Sequence, residues 1–299
     1  MVFIPATHMG SINFDYPTMV KNVTSPTAVL LLRSLSMELI NRFLKKLIRA
    51  TCSPALQQRI RRFYLSRRVI QGKSHREPEM CLLQHLIRPG DVILDIGANV
   101  GAYTVEFASL TGPHGRVYSF EPVSATYDIL TEVIHKGNLA NVSSFHAALG
   151  AEAGHADILI PELGAFTGYY LAHLAGQDES GTDRSQRRER VELFTLDGLW
   201  KSGIIERADF IKCDVEGSEL DVLRGGRQFI DSQAPGCLVE VSRGTSKAVF
   251  DLLKDLEYRS FVFEGKLIET SGYRDKEFSN YYFFRDHSPM AERVRKLPA

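Results

Sequence analysis

Apolar residues recur along this chain with two periods, and the alternation of those periods sets the expected architecture. Val92, Ile93, Leu94 and Ile96 form a short apolar run suited to a strand covered on both faces, and Asp95 interrupts it near the carboxyl end. Gly97 and Gly101 follow as a turn open to positive φ, and residues 102–110 place Tyr103, Phe107 and Leu110 roughly on one side of a helix. Residues 116–120 predict a second strand, ending in Glu121 and Pro122. Beyond it the pattern predicts a helix over 124–137 capped by Ser124, a third strand over 142–148, an extra strand over 191–196 and a fourth over 210–215. A helix over 218–230, a fifth strand over 238–241, a helix over 246–256 and a closing pair of strands at 259–263 and 280–284 complete the series. Strands alternating with helices predict an α/β fold built on a doubly wound, mostly parallel sheet. Residues 175–190 lack periodicity and apolar anchors and read as a mobile loop. No internal repeat is visible.

The amino-terminal part follows a different pattern. Leu32, Leu35, Leu39, Ile40, Phe43, Leu44, Leu47 and Ile48 recur at helical spacing, with Arg33, Arg42, Lys45, Lys46 and Arg49 on other positions. Arg59, Arg61, Arg62, Arg67 and Arg68 extend the positive charge, so residues 1–74 are expected to form a basic helical extension. The main expectation is a helical cap on the domain or on a second subunit, with homo-oligomers left open. Docking on a membrane surface, or capture of an acidic substrate, is the alternative. Residues 28–48 are too interrupted by Arg33, Glu38 and Arg42 to span a bilayer.

Composition narrows the classes. With 44% hydrophobic residues in 299, the chain can bury one large α/β core. Its 36 basic and 36 acidic residues cancel, so no nucleic-acid partner is expected from overall charge. Cys52, Cys81, Cys213 and Cys237 have no C-x-x-C spacing, which argues against a zinc cluster or a disulfide framework and for the cytoplasm. The opening residues, with Pro5, His8 and Asp15 before the first lysine at 21, do not read as a secretory signal.

The chemistry concentrates around the first glycine turn. A dinucleotide site would carry G-x-G-x-x-G there, but Asn99 stands in place of the middle glycine and Asp95 precedes the turn, where it would repel a pyrophosphate. A ligand with an ammonium, a carboxylate and a ribose fits better. Asp95 would take the ammonium, the free amides of the helix start the carboxylate, and Glu121, about twenty residues on, the ribose hydroxyls. S-adenosylmethionine is such a ligand.

Several segments then coincide. They are Arg76-Glu-Pro-Glu-Met80, Asp95-Ile-Gly-Ala-Asn-Val-Gly101, Phe120-Glu-Pro122, Ala147-Ala-Leu149 and Thr195-Leu-Asp-Gly-Leu199. Phe210-Ile-Lys-Cys-Asp-Val-Glu-Gly-Ser-Glu219, Val222-Leu-Arg-Gly-Gly226, Leu238-Val-Glu-Val241 and Asn280-Tyr-Tyr-Phe-Phe284 follow in order. Over residues 75–286 the chain resembles the FkbM-type S-adenosylmethionine-dependent methyltransferases, and the Asp-Val-Glu-Gly-Ser-Glu segment is the more diagnostic signature. The resemblance implies a class I, Rossmann-like, seven-stranded methyltransferase domain at 75–286, followed by a tail at 287–299. It also implies O-methylation of a hydroxyl on a sugar, polyketide or lipid-linked metabolite. A noncatalytic S-adenosylmethionine-binding module and a dinucleotide-dependent oxidoreductase are the alternatives.

Ligands of open parallel sheets bind at the carboxyl ends of the strands, so Asp214 at the end of the fourth and Glu240 near the end of the fifth are expected to converge. Asp214 is assigned to the cofactor's methionine part or to the incoming hydroxyl, and Glu216 or Glu240 to the base or the substrate anchor. Clustered carboxylates could alternatively hold Mg²⁺, which is not favoured. Glu219 reads as a helix-start acid and Lys212 as a structural partner. Glu77, Gly97, Asn99, Gly101 and Ala148 complete the expected cofactor site, with Ala148 in the segment where relatives place the adenine. His146 beside it reads as an ordinary strand histidine, and residues 164–170 as a loop that could line an acceptor pocket.

Overall fold

A computed structural model of the chain describes residues 51–74, 77–161, 173–174, 186–274 and 279–297. The chain divides into two compact units, Met1–Gln57 and Gln58–Ala299. The first lies almost wholly outside the described residues, as do the amphipathic pattern at 32–49 and the 164–170 stretch.

In chain order the elements are α1 (Pro54–Ile70), α2 (Met80–Leu86), β1 (Val92–Ile96), α3 (Ala102–Thr111), β2 (Arg116–Phe120), α4 (Ser124–Lys136), β3 (Val142–Phe145), β4 (Ala148–Leu149), β5 (Gly154–Pro161), β6 (His173–Leu174) and β7 (Gln186–Phe194). There follow α5 (Leu196–Lys201), β8 (Phe210–Cys213), α6 (Glu219–Gly225), α7 (Arg227–Gln233), β9 (Gly236–Glu240), α8 (Ser246–Asp255), β10 (Tyr258–Phe263), β11 (Leu267–Thr270), β12 (Asn280–Arg285) and α9 (Pro289–Val294). The main sheet runs β11-β10-β12-β9-β8-β1-β2-β3, and a smaller sheet runs β4-β7-β5-β6. Strands β3, β2, β1, β8 and β9 are mutually parallel, while β12 runs antiparallel to both β9 and β10. The order reverses between β1 and β8, which is the switch point where such sheets open a crevice.

The expected doubly wound architecture is present, but the sheet has eight strands rather than seven. The eighth, β11, forms a hairpin with β10 through a turn at Gly265, whose φ of 75° suits glycine. Three further boundaries differ from the sequence expectation. The third strand breaks after Phe145, and Ala148–Leu149 pairs in the smaller sheet instead. Residues 186–190, read as loop, belong to β7, because a backbone ladder with β5 satisfies them despite their charged side chains. Leu196 opens α5 rather than closing a strand.

The helix expected over 218–230 is two helices meeting at Gly226, where a Cβ would lie 2.9 Å from Leu196 Cδ2. Asp197 then caps the second, accepting from the backbone N–H of Phe229 at 2.8 Å. Within residues 287–299, Pro289–Val294 is helical and docked. Arg293 donates to both carboxylate oxygens of Asp91 and to Leu86 O at 2.7 Å.

Two apolar layers enclose the sheet. Ile93, Val117, Phe210, Leu238, Tyr282 and Phe284 face α2, α3 and α9, through residues such as Leu83, Phe107 and Met290. Leu94, Ile96, Ile211, Cys213 and Val239 face α5 to α8. No helix among the described residues is long and apolar enough to cross a membrane.

Candidate active site

Strand register alone assembles the site. Ser119, Asp95, Lys212, Leu238 and Tyr282 lie side by side across β2, β1, β8, β9 and β12. Because side chains alternate, the residues two further along the parallel strands, Glu121, Gly97, Asp214 and Glu240, share that face, with Asn280 opposite Glu240. One row of the sheet at its carboxyl edge thus carries three acids and a glycine.

The glycine is obligatory. Gly97 has φ 78°, and a Cβ on it would fall 1.7 Å from the Asp214 carbonyl oxygen. Asn99 also takes a left-handed conformation, at φ 51°, and Gly101 caps α3 at φ 91°. Glu121 clasps this turn, since one oxygen accepts from Asn99 N at 2.8 Å and the other from Val123 N at 3.0 Å and Thr126 Oγ1 at 2.6 Å. Burial pushes its carboxyl pKa up, against these donors.

Lys212 is the hub behind the row. Only 4% exposed, it donates to Asp214 Oδ2 at 2.8 Å and to Gly97 O at 3.4 Å, and its ammonium sits 4.8 Å over the Tyr103 ring. Burial alone would neutralise it, but Asp214 and Asp95 hold it charged and raise its pKa. Asp95 is wholly enclosed. Thr104 Oγ1 donates to its Oδ2 at 2.5 Å, and its Oδ1 is buried without a hydrogen-bond partner among the described residues. Desolvation raises the Asp95 pKa, with Lys212 and Thr104 opposing. An ammonium of this chain therefore stands beside the acid that the sequence assigns to a ligand's ammonium.

Asp214, Glu216 and Glu240 converge as expected, each offering an oxygen within 4.8 Å of the others. Burial disfavours the Asp214 anion, but Lys212 and a hydrogen bond from Glu240 prevail and hold its pKa below the ordinary range. Glu240 is the mirror case. Desolvation, the bond to Asp214 and the charges of Asp214, Glu216 and Glu219 push it up to about 9. Glu216, exposed at φ 52°, forms the outer corner. Glu219 folds back on its own turn, accepting from Gly217 N at 2.9 Å and Val215 N at 3.2 Å, which is a helix-start role.

Glu77 joins from the segment before α2, accepting from Tyr103 Oη at 2.7 Å and Asn280 Nδ2 at 3.1 Å. Ala148 is buried where the chain passes into the smaller sheet. His146 lies outside the strand, stacked on Tyr127 at 4.7 Å and 3.3 Å from Ser124 Oγ. Sequence reasoning underrated Lys212, although its place two residues before Asp214 already set both on one face. Tyr103, Thr104 and Asn280 gave no such signal, since the partners of Tyr103 and Asn280 lie 26 and 203 residues away.

Residues 95–260, more than half of the chain, match the methyltransferase FkbM domain. The chain belongs to the FkbM methyltransferase family. Among relatives, the 31-O-demethyl-FK506 methyltransferase FkbM of Streptomyces tacrolimicus is 41% identical over 170 residues, which cover 49% of this chain and 64% of that protein. The hexuronic acid methyltransferase AglP of Haloferax volcanii is 27% identical over 168 residues, covering 55% and 62%. The 2-O-methyltransferase NoeI of Sinorhizobium fredii is 26% identical over 228 residues, covering 68% and 86%. Against the first two the match thus spans less than two thirds of the relative's length. The FkbM domain includes the glycine turn, the Glu121 clasp and the Asp214, Glu216 and Glu240 corner in one segment.

Proposed function

We propose that this protein transfers the methyl group of S-adenosylmethionine to a hydroxyl oxygen of a sugar, polyketide or lipid-linked metabolite. The observation that carries the proposal is the row Glu121, Gly97, Asp214 and Glu240, a cradle at the sheet's switch point joined to the converging carboxyl groups of Asp214 and Glu240. The relatives' names, with a 31-O-demethyl substrate, a hexuronic acid and a 2-O position, support a hydroxyl-bearing acceptor.

The cradle fits the cofactor. Asn99 Oδ1 is buried without a hydrogen-bond partner among the described residues, and the first turn of α3 offers amides free of intrahelical bonds. The amides would hold the methionine carboxylate, and Asn99 Oδ1, an acceptor, would take an N–H of the ligand's ammonium. Glu121 retains acceptor capacity toward ribose hydroxyls, and Ala148 lies in the segment assigned to the adenine. Asp214 is 27% exposed at its side chain, so it meets the ligand's ammonium in place of the enclosed Asp95, which acts from behind Lys212. Glu77 orients Tyr103 and Asn280 at the same edge.

When bound, the cofactor supplies an electrophilic methyl on a sulfonium, and this chain's residues supply position and proton traffic. Glu240 accepts the proton of the acceptor hydroxyl once its own has left, and Asp214, kept ionised by Lys212, stabilises the protonated form through their hydrogen bond. Glu216 at the open corner anchors the acceptor. Calorimetry with S-adenosylmethionine and NAD, followed by assay of S-adenosylhomocysteine formed with candidate acceptors, tests the proposal. Preference for NAD would move the protein to the oxidoreductases, and tight binding without turnover to the binding modules.

Mg²⁺ is a second reading, favoured by the three converging carboxylates. The Lys212 ammonium on Asp214 and the raised pKa of Glu240 already lower the negative charge of that corner, which supports the metal-free reading. The proposal further places the catalytic domain at residues 75–286 and the protein in the cytoplasm, testable by limited proteolysis and fractionation.

A further inference from the structure

Helix α1 carries apolar side chains on both its faces. Arg61 and Ser66 are 3% and 1% exposed, on the side where Leu65 and Val69 pack against Val100, Ile129 and Val133. By contrast Phe63 is 57% exposed, Tyr64 53% and Ile70 37%. Spacings of four and three set Phe63, Arg67 and Ile70 in one stripe, with Tyr64 and Arg68 beside it. An exposed stripe of two rings and an isoleucine on one helix calls for a partner.

Charge identifies the partner. Residues 54–70 hold five arginines and no acid. The neighbouring acid Glu132 is engaged on the inner edge by Arg62, Ser66 and Lys136. Arg59, Arg67 and Arg68 remain on the exposed side, and Lys136 lies over the Phe63 ring at 5.4 Å. Two copies of this face would set arginine against arginine. A nucleic acid would match the arginines but leave Ile70 without an apolar neighbour. An anionic bilayer satisfies both, because rings and aliphatic groups enter the headgroup boundary while guanidinium groups meet lipid phosphates.

We propose that the exposed face of α1 docks the protein on a membrane surface rich in anionic lipids. In the sequence just before it, eight apolar residues at helical spacing between 32 and 49 are interleaved with five cations, the same chemistry.

The test uses the full chain and vesicles of phosphatidylcholine with or without phosphatidylglycerol. Co-sedimentation is expected only with the anionic vesicles and is expected to weaken with salt. Phe63→Glu with Ile70→Glu, and separately Arg59→Glu with Arg67→Glu, should each lower the bound fraction more than about tenfold, with S-adenosylmethionine affinity and melting temperature unchanged. Equal recovery on both vesicle types, or none on either, overturns the proposal. So does a dimer that the Phe63 and Ile70 changes dissociate without any vesicle binding, or binding to duplex DNA in its place. A melting temperature lowered by the same changes would mean that the face is packed within the chain, and also overturns it.

Discussion

Gly97 and Asp214 meet where β1 and β8 leave the sheet, so closely that a Cβ on the glycine would sit 1.7 Å from the Asp214 carbonyl oxygen. This contact aims both the turn and the acid into one crevice. Gly97→Ala should therefore cost about 3–5 kcal/mol in a denaturant titration, since backbone rather than a flexible side chain must move. Gly90→Ala is the control. Its φ is 89° but nothing lies within 4 Å of the added carbon, so only the conformational strain of about 1–2 kcal/mol is expected. Equal losses at the two positions would show that conformation, not the close approach, explains Gly97.

Glu240→Gln should keep S-adenosylmethionine affinity in calorimetry and lose roughly 10²- to 10⁴-fold in kcat, the usual span for a general base. In the unaltered protein kcat should climb with pH toward about 9, because only the ionised form accepts a proton. Stability should move the other way. A carboxyl whose folded pKa lies above its unfolded value adds stability fully present below about 4.5 and lost as pH rises through about 9. Glu240→Gln should flatten that slope in thermal melts, and a profile unchanged in both respects would remove Glu240 from the mechanism.

How far this site was legible follows from the same residues. Period-two patterning fixes which face each strand residue takes, so Asp95, Asp214 and Glu240 were assignable to one edge before any coordinates. Spacing from the glycine turn assigns Glu121 to the ribose alone. The structure shows it bonded to Asn99, Val123 and Thr126, a role set by turn geometry that no spacing encodes. The strand at 186–190 escaped for a different reason. Arg187, Arg188 and Arg190 sit on an exposed ladder where pairing is a backbone matter and composition carries no signal. Local pattern runs Gly226 into one helix, and only the approach of Leu196 makes it a break.

Lys212→Met should damage both stability and turnover. It strands Asp214 and the enclosed Asp95 without their cation, and breaking such a buried pair costs roughly 3–5 kcal/mol. Lys212→Arg keeps the charge and should recover a large part of the stability. It should recover less of the turnover, because the wider guanidinium displaces Asp214 from Glu240. Chemical denaturation and single-turnover assays of both variants separate the two effects. Turnover lost equally in both would make position rather than charge the decisive property of Lys212.

Chelation decides between the two readings of the carboxyl corner. With Lys212 on Asp214 and the pKa of Glu240 raised to about 9, the corner needs no divalent ion, so activity should persist after dialysis against EDTA. Loss of turnover that Mg²⁺ alone restores would assign Asp214, Glu216 and Glu240 to a metal and displace Glu240 as base.

The far end of β1 offers a test of stability without chemistry. Asp91, 5% exposed, receives both terminal nitrogens of Arg293 and the backbone N–H of Arg88 at 2.8 Å, so α9 is tied to the first strand by a forked ion pair. Arg293→Ala leaves a buried carboxylate with the Arg88 amide and should cost roughly 3 kcal/mol, read as a lowered midpoint in urea. Asp91 lies at the amino end of β1 and the cradle at its carboxyl end, five residues of strand away. Cofactor affinity and kcat measured well below the melting temperature should therefore stay within about twofold of the unaltered protein. A variant that melts normally but binds the cofactor weakly would mean that α9 acts on the site through the strand, and that residues 289–294 belong to the catalytic unit rather than to a tail.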